Sequence, residues 1–264
     1  RRTRDPWAIL VAETMLQQTQ VARVVPRWTA FLESFPTPAD CAAAPVGEIV
    51  RLWDGLGYNR RAVNLHRAAT VITEAHGGRV PDELDQLLAL PGVGQYTARA
   101  VLTFALERDG HGVLDTNVAR VLARAVQGRS LRPREAQALA DGLVPEGRSW
   151  AWNQTIMELG ARLCTKRSPR CDECPVADLC AWRLAGGPDG PDPADGTAGA
   201  SGRQSAFAGS DRQGRGRLVA ALRTGPIDVA RIADVTGWGD DPERASRVAD
   251  GLVADGLAEY ADGV

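Results

Sequence analysis

The sequence predicts an all-α protein with a small winged-helix-like module behind the main body. Three observations carry that expectation. Apolar residues recur at three- and four-residue intervals through most of residues 1–184. No segment there sustains the two-residue alternation of a half-buried strand. Gly and Pro punctuate the periodic stretches, at Phe35-Pro36-Thr37-Pro38, Gly77-Gly78 and Pro91-Gly92.

In chain order, helices are expected over Ile9–Val21, Val46–Gly55, Ala62–Ala75, Leu84–Leu90, Tyr96–Leu106, Asn117–Val126, Pro133–Leu143 and Trp150–Leu163. Residues 185–216 are rich in Gly, Pro, Ala, Asp and Ser with almost nothing to bury, the composition of a linker. The pattern returns in 217–264: helices over Leu218–Arg223, Val229–Val235 and Pro242–Ala254, then a short strand at Leu257–Tyr260. The expected organisation is therefore a helical domain over 1–184, a linker over 185–216 and a small module over 217–264. That last segment holds 5 Arg against 9 Asp and Glu, while the remainder balances 26 basic against 24 acidic residues. Affinity for nucleic acid is thus expected in local patches of the first part, not in a global field. No run of 18 apolar residues occurs, so no membrane-spanning helix is expected. The chain begins at Arg1 without a methionine, so further native residues are expected ahead of it.

The cysteines carry the strongest chemical signal. Cys164, Cys171, Cys174 and Cys180 are spaced C-x6-C-x2-C-x5-C. A structural zinc site usually brings two close pairs, and only Cys171/Cys174 is one. A disulfide framework belongs to an oxidising compartment, and no apolar signal segment opens this chain. Four thiolates in one tight loop fit a [4Fe–4S] cluster, with zinc or unrelated thiols as the alternatives. Cys41, in an Ala-rich stretch, reads as a small core residue.

Leu90-Pro91-Gly92-Val93-Gly94 lies between two helical stretches. A sharp turn there leaves the amides of Gly92, Val93 and Gly94 at the start of the next helix, where an anion such as a DNA phosphate binds without its sequence being read. An ordinary helix–helix turn is the alternative. Asp115, in Leu114-Asp115-Thr116-Asn117, precedes a helix and reads alone as an N-cap. Glu13 lies in the apolar run Val11-Ala12-Glu13-Thr14-Met15-Leu16, where a carboxylate is costly without a purpose or a partner. Two carboxylates in unlike environments suit acid and stabiliser at a glycosidic bond.

Together, the hairpin, the Asp about 20 residues beyond it and the four-cysteine loop resemble the endonuclease III superfamily of DNA glycosylases. Glu13-Thr14-Met15-Leu16-Gln17-Gln18-Thr19-Gln20-Val21, Gly55-Leu56-Gly57-Tyr58 and Asn64-Leu65-His66 resemble the A/G-specific adenine glycosylases within it, the MutY family. The resemblance runs through residues 1–184. It implies excision of adenine mispaired with 8-oxoguanine or guanine, leaving an abasic site in double-stranded DNA, by a monofunctional, monomeric, cytoplasmic and nucleoid-associated enzyme. It implies that Glu13 protonates adenine N7 and that Asp115 stabilises the sugar cation. Tyr96 would stand beside that centre, and Asn117 would orient sugar and water. Gln18 and Tyr58 would insert around the mispaired purine, and Arg1 would lie near the flipped adenine. Lys166, Arg167 and Arg170 form a basic loop between the first two cysteines, expected to touch phosphate.

Two features set the chain apart from that family. It shows neither the length nor the strands for the family's C-terminal Nudix-like domain. In its place stands a basic segment, Arg203–Arg217, expected either to order on DNA or to dock the acidic module. Thymine or uracil excision from G mismatches is the alternative activity, and a non-catalytic damage sensor a third. A Schiff-base lyase is disfavoured, because its lysine would fall at Tyr96 and the one lysine of the chain is Lys166.

Overall fold

Side-chain caps mark the start of a few of the helices. Thr37 and Asp40 form a reciprocal cap on α3 (Pro38–Ala43): Asp40 N–H donates to Thr37 Oγ1 at 3.2 Å and Thr37 N–H to Asp40 Oδ2 at 3.0 Å. Asp241 caps the helix Pro242–Ala254 by a single bond, accepting from Arg244 N–H at 3.0 Å. The computed structural model describes residues 3–197 and 206–261; Arg1 and Arg203 lie outside them.

The remaining helices are α1 (Pro6–Leu16), α2 (Val21–Ser34), α4 (Val46–Leu52), α5 (Arg60–Ala75), α6 (Leu84–Leu88), α7 (Gln95–Phe104), α8 (Thr116–Val121), α9 (Pro133–Gly142), α10 (Ser149–Arg162), α11 (Ala181–Leu184), α12 (Asp211–Leu222), α13 (Ile232–Thr236) and α14 (Pro242–Ala254). A π-helical turn, Leu122–Gln127, continues α8. Among the described residues there is no strand, and no helix is long and apolar enough to cross a membrane.

The chain divides into two compact units. The first takes Arg1–Leu10, Asp82–Leu88 and Val93–Arg203; the second takes Val11–Pro81, Ala89–Gly92 and Gln204–Val264. In the first, α10 packs on α7 and α8, and the π-turn packs on α9 and α11. Val118, Val121, Leu122, Leu131, Ala136 and Ile156 form its buried centre. In the second, α3 and α4 pack on α5, with Phe31 edge-on to Phe35 and Trp53. Cys41 is fully buried there, and burial, reinforced by the neighbouring Asp40, pushes its thiol up to about 12.

The structure departs from the sequence-based expectations in three places. The helix expected over Ile9–Val21 is two helices, because Gln18 takes a left-handed backbone (φ 55°) between α1 and α2. The segment expected as a linker is not uniform. Asp192 pairs with buried Arg124 at 2.6 Å, Thr197 Oγ1 accepts from Leu131 N–H, and α12 already begins at Asp211. Few side chains are buried there, so polar bonds hold it, which composition conceals. The strand expected at Leu257–Tyr260 does not form among the described residues, where no neighbouring strand offers a ladder.

The C-terminal helices pack together as a three-helix group. Gly214 lets α12 close on Trp238: a Cβ there would fall 2.2 Å from the indole. They also pack onto the second unit's other helices rather than standing apart. Arg223 of α12 pairs with Asp54 and donates to the Val50 carbonyl at 3.0 Å, and Arg60 pairs with Asp255 at 3.4 Å.

Candidate functional site

Within the first unit the geometry centres on Asp115. Its Oδ1 accepts from the N–H groups of Asn117 (2.8 Å) and Val118 (2.7 Å), capping α8. Asn117 Nδ2 donates to Asp115 Oδ2 at 3.0 Å. The expected pair is therefore in contact, and both carboxylate oxygens are engaged. Arg120, one turn on, donates to Asn117 Oδ1 (2.9 Å), to the Gly160 carbonyl (2.7 Å) and to the Cys164 carbonyl (2.6 Å). Gly160 lets α10 approach this closely, because a Cβ would meet Asn117 at 2.8 Å. The extended segment entering Asp115 is fastened as well. Buried Asn153 accepts from Val113 N–H at 2.7 Å, and Asp141 accepts from Gly112 N–H at 2.8 Å.

The cysteine loop follows α10. Cys164 lies just beyond its end, a short 3-10 turn starts at Cys171, a second lies between Cys174 and Cys180, and Cys180 precedes α11. All four cysteines line one pocket with Arg124 and Arg183, and none is in a disulfide. Arg124 is carried by the π-turn and is buried. It donates to Cys164 Sγ at 3.5 Å, forks onto Asp192 and lies 4.6 Å from the centre of the Trp182 ring. Burial and the nearby Cys164 and Cys180 push the Cys171 thiol up. A cationic metal group relieves that mutual repulsion. Among the described residues no three acidic, Cys or His side chains close around a single ion. Cys164, Cys171, Cys174 and Cys180 around one pocket are the four thiolates that would hold an iron–sulfur cluster. Lys166, Arg167 and Arg170 are exposed on this loop; Arg170 pairs with Glu173 at 3.1 Å.

The hairpin behaves as two different glycines. Gly92 has φ 76°, and a Cβ would fall 2.7 Å from Asn64 Cβ, so only glycine fits. Gly94 is extended, faces open space and is the N-cap of α7. No side chain caps that helix; Gly94 is exposed at its start, while Val93 is buried. Tyr96 is half-buried in the first turn of α7.

The second unit carries Glu13, Gln18 and Tyr58. Glu13 is fully buried on α1. Gln18 and Tyr58 are exposed and are two of only three non-glycine residues with positive φ among those described. One guanidinium supports both turns. Arg61 donates to the carbonyls of Thr14 (2.9 Å), Met15 (2.9 Å), Gln17 (2.7 Å), Leu56 (3.1 Å) and Gly57 (2.9 Å), and to Thr19 Oγ1 (3.0 Å). Burial pulls its pKa down to about 10, which leaves it charged at neutral pH. The basic segment expected to be flexible is partly helix: Arg215 pairs with Asp255 at 2.6 Å, Arg217 donates to the Thr236 carbonyl, and Arg212 Nη1 donates to the Tyr58 hydroxyl at 3.3 Å.

Sequence reasoning missed Arg120, Asn153, Arg124 and Arg61. Arg120 and Arg124 follow Asn117 at helical spacing, the one local signal. Asn153 and Arg61 act through contacts distant in sequence. Arg1 falls outside the described residues.

Comparison with known proteins gives concordant findings. Residues 11–146 match the model of the HhH-GPD superfamily base excision DNA repair proteins, and 164–180 match the iron–sulfur binding domain of endonuclease III. The four cysteines are thus the ligands of a [4Fe–4S]-binding loop. The chain is 44% identical over 261 residues to the adenine DNA glycosylase of Mycolicibacterium smegmatis, covering 97% of this chain and 86% of that protein. It is 46% identical over 260 residues to that of Mycobacterium tuberculosis, covering 96% and 82%. A solved thermostable thymine-DNA glycosylase superposes with a TM-score of 0.66 at 32% identity, over 70% of this chain and 87% of that one.

Proposed function

The chain belongs to the HhH-GPD superfamily of base excision DNA repair proteins and, within it, to the adenine DNA glycosylases, and on that premise we propose how its residues carry the reaction. The substrate is adenine opposite 8-oxoguanine or guanine in duplex DNA, acted on in the cytoplasm. The product is an abasic site. The observation that carries the reading is the Asp115 carboxylate, held by two α8 amides on one oxygen and by Asn117 Nδ2 on the other.

An adenine anion is a poor leaving group, so its N7 takes a proton as the glycosidic bond breaks. Glu13 is the proposed donor; its full burial shields the transfer from water. Asp115 faces the cationic sugar that develops at C1′, and Asn117 orients the sugar and the attacking water. Tyr96 packs beside that centre. Because the adenine is turned out of the helix, its place in the stack must be filled, and Gln18 and Tyr58 are proposed to do so from two strained, exposed turns. The hairpin amides from Gly92 to Gly94 bind a backbone phosphate, and Lys166, Arg167 and Arg170 contact another. When bound, the iron–sulfur cluster supplies a rigid cross-link for that loop; the hydrolysis itself moves no electrons.

The enzyme is proposed to be monofunctional, since its one lysine, Lys166, sits on the cysteine loop. Incubation with an A·8-oxoguanine duplex should release adenine and leave a strand that breaks only after alkali. Strand scission without alkali, trapped by borohydride, would overturn monofunctionality. Release of thymine but not adenine would overturn the substrate.

A further inference from the structure

The backbone entering Asp115 is gripped by side chains. Gly112 N–H donates to Asp141 Oδ1 at 2.8 Å, and the Gly112 carbonyl accepts from Gln137 Nε2 at 2.9 Å. Val113 N–H donates to Asn153 Oδ1 at 2.7 Å, and the His111 carbonyl accepts from Asn153 Nδ2 at 3.1 Å and Thr103 Oγ1 at 3.0 Å. Among the described residues no strand lies alongside, so side chains of α7, α9 and α10 take the bonds that a ladder would. Gly112 lets α9 come this close: a Cβ there would fall 2.4 Å from the Ala140 backbone. Asp141 is itself held. Arg99 forks onto it, Nε on Oδ1 and Nη2 on Oδ2, each at 3.2 Å. Arg99 is buried on α7, and its Nη1 donates to Gln95 Oε1. Gln95 is exposed in the first turn of α7, next to the N-cap Gly94. An arginine has donors only, so the amide oxygen of Gln95 must face it, and the amino end is left for an acceptor.

We infer that Arg99 and Asp141 are positioning residues for Asp115, and that Gln95 couples them to a DNA phosphate seated at the start of α7. The inference rests on the proposed function, which seats that phosphate and brings the Asp115 carboxylate to the sugar. A phosphate oxygen accepting from Gln95 Nε2 holds the amide with its oxygen on Arg99. That fixes the fork on Asp141, and Asp141 fixes Gly112. A misplacement of about 1 Å at a reacting centre costs about a hundredfold in rate, so the placement of this backbone matters to Asp115. The grip on the DNA backbone and the reach of Asp115 are thus set by one run of side chains, all within the first unit. Among the described residues Asp141 is the one ion-pair partner of buried Arg99, so the two stay together.

The test uses the full chain with its cluster and the variants Arg99→Met and Gln95→Ala. The probe is a saturating duplex carrying a tetrahydrofuran abasic-site analogue, which does not depend on the base excised. Hydrogen exchange is read at the Gly112 and Val113 amides. In free protein Arg99→Met should speed that exchange about tenfold, the scale of one bond to a charged group. The duplex should slow both amides in the wild type and leave them unslowed in Gln95→Ala, a change at an exposed side chain. Slowing that persists in Gln95→Ala would assign the effect to direct cover by DNA and overturn the inference, as would wild-type exchange in Arg99→Met. Should Arg99→Met fail to fold, the Gln95→Ala comparison decides alone. Adenine release is scored separately under single turnover. Both variants should slow it, and the double variant should match Arg99→Met, because Gln95 acts through Arg99; additive losses would overturn the coupling. If the exchange pattern holds but the wild type releases no adenine, the proposed reaction fails and the positioning stands. If adenine is released and neither variant alters the exchange, the positioning fails alone.

Discussion

Arg120 Nε donates to the carbonyl oxygen of Cys164 at 2.6 Å. The same guanidinium holds Asn117 Oδ1, and Asn117 in turn holds Asp115. Three hydrogen bonds thus connect the backbone of the first cluster cysteine to the carboxylate proposed to face the sugar. The orientation of Asn117 depends on where the cysteine loop sits.

Arg120→Leu should slow adenine excision about tenfold or more, since a bond to a charged group contributes roughly 1.5–3 kcal/mol. Iron content and DNA affinity should change little. Single-turnover kinetics beside an iron assay checks this. Parallel loss of iron and activity would make Arg120 a support of the loop rather than of Asn117.

Asp115→Asn and Glu13→Gln should each cost about 10²–10⁴ in excision rate while retaining DNA binding. Turnover near that of the wild type would reduce Asp115 to the helix cap it also is.

Gly160→Ala should cost about 1–3 kcal/mol, the scale of overpacking in a tight site, and should disturb Asn117 first. Gly142→Ala in α9, where nothing lies within 4 Å, is the matched control. The control should melt at or above the wild-type temperature, and Gly160→Ala several degrees below it.

Purified protein should be brown with about four irons per chain. Cys171→Ser should lose most of that colour, and stoichiometric zinc after anaerobic preparation would contradict the cluster.

The hydrogen bond from Arg124 holds the Asp192 carboxyl below its usual range. A depressed folded pKa gives stability that is full above the ordinary carboxylate value, about 4, and is lost as pH falls through the folded value. The stability gap between the wild type and Asp192→Asn should therefore be constant from about pH 5 to 8 and shrink below about pH 4. Urea unfolding across that range measures it. A gap that persists undiminished in acid would assign Asp192 to packing alone.

The parts legible in the sequence were those with local grammar. Helix periodicity, the Leu90–Gly94 turn and the cysteine spacing each reside in one short stretch. Asp115 was legible as a cap because it lies two residues before the amide it accepts from, whereas Asn117 was placed by the family resemblance alone. The break at Gln18 was not: nothing local announces that Arg61, more than 40 residues on, will collect the carbonyls that end α1. Nor does composition show that Asp192, in a Gly- and Pro-rich stretch, neutralises a buried arginine.

On the proposed insertion of Gln18 and Tyr58, Arg61 bears on how the protein would search a duplex. A single cation underpins the turns bearing Gln18 and Tyr58, so the two tips form one stiff probe and a disturbance at either is transmitted to the other. Free protein already holds the shape that a loose pair of loops would have to adopt on contact, and the ordering entropy of those residues is settled at folding rather than at each encounter. With Gln18 and Tyr58 inserting as proposed, such a probe would advance only where a weakened pair yields to both at once.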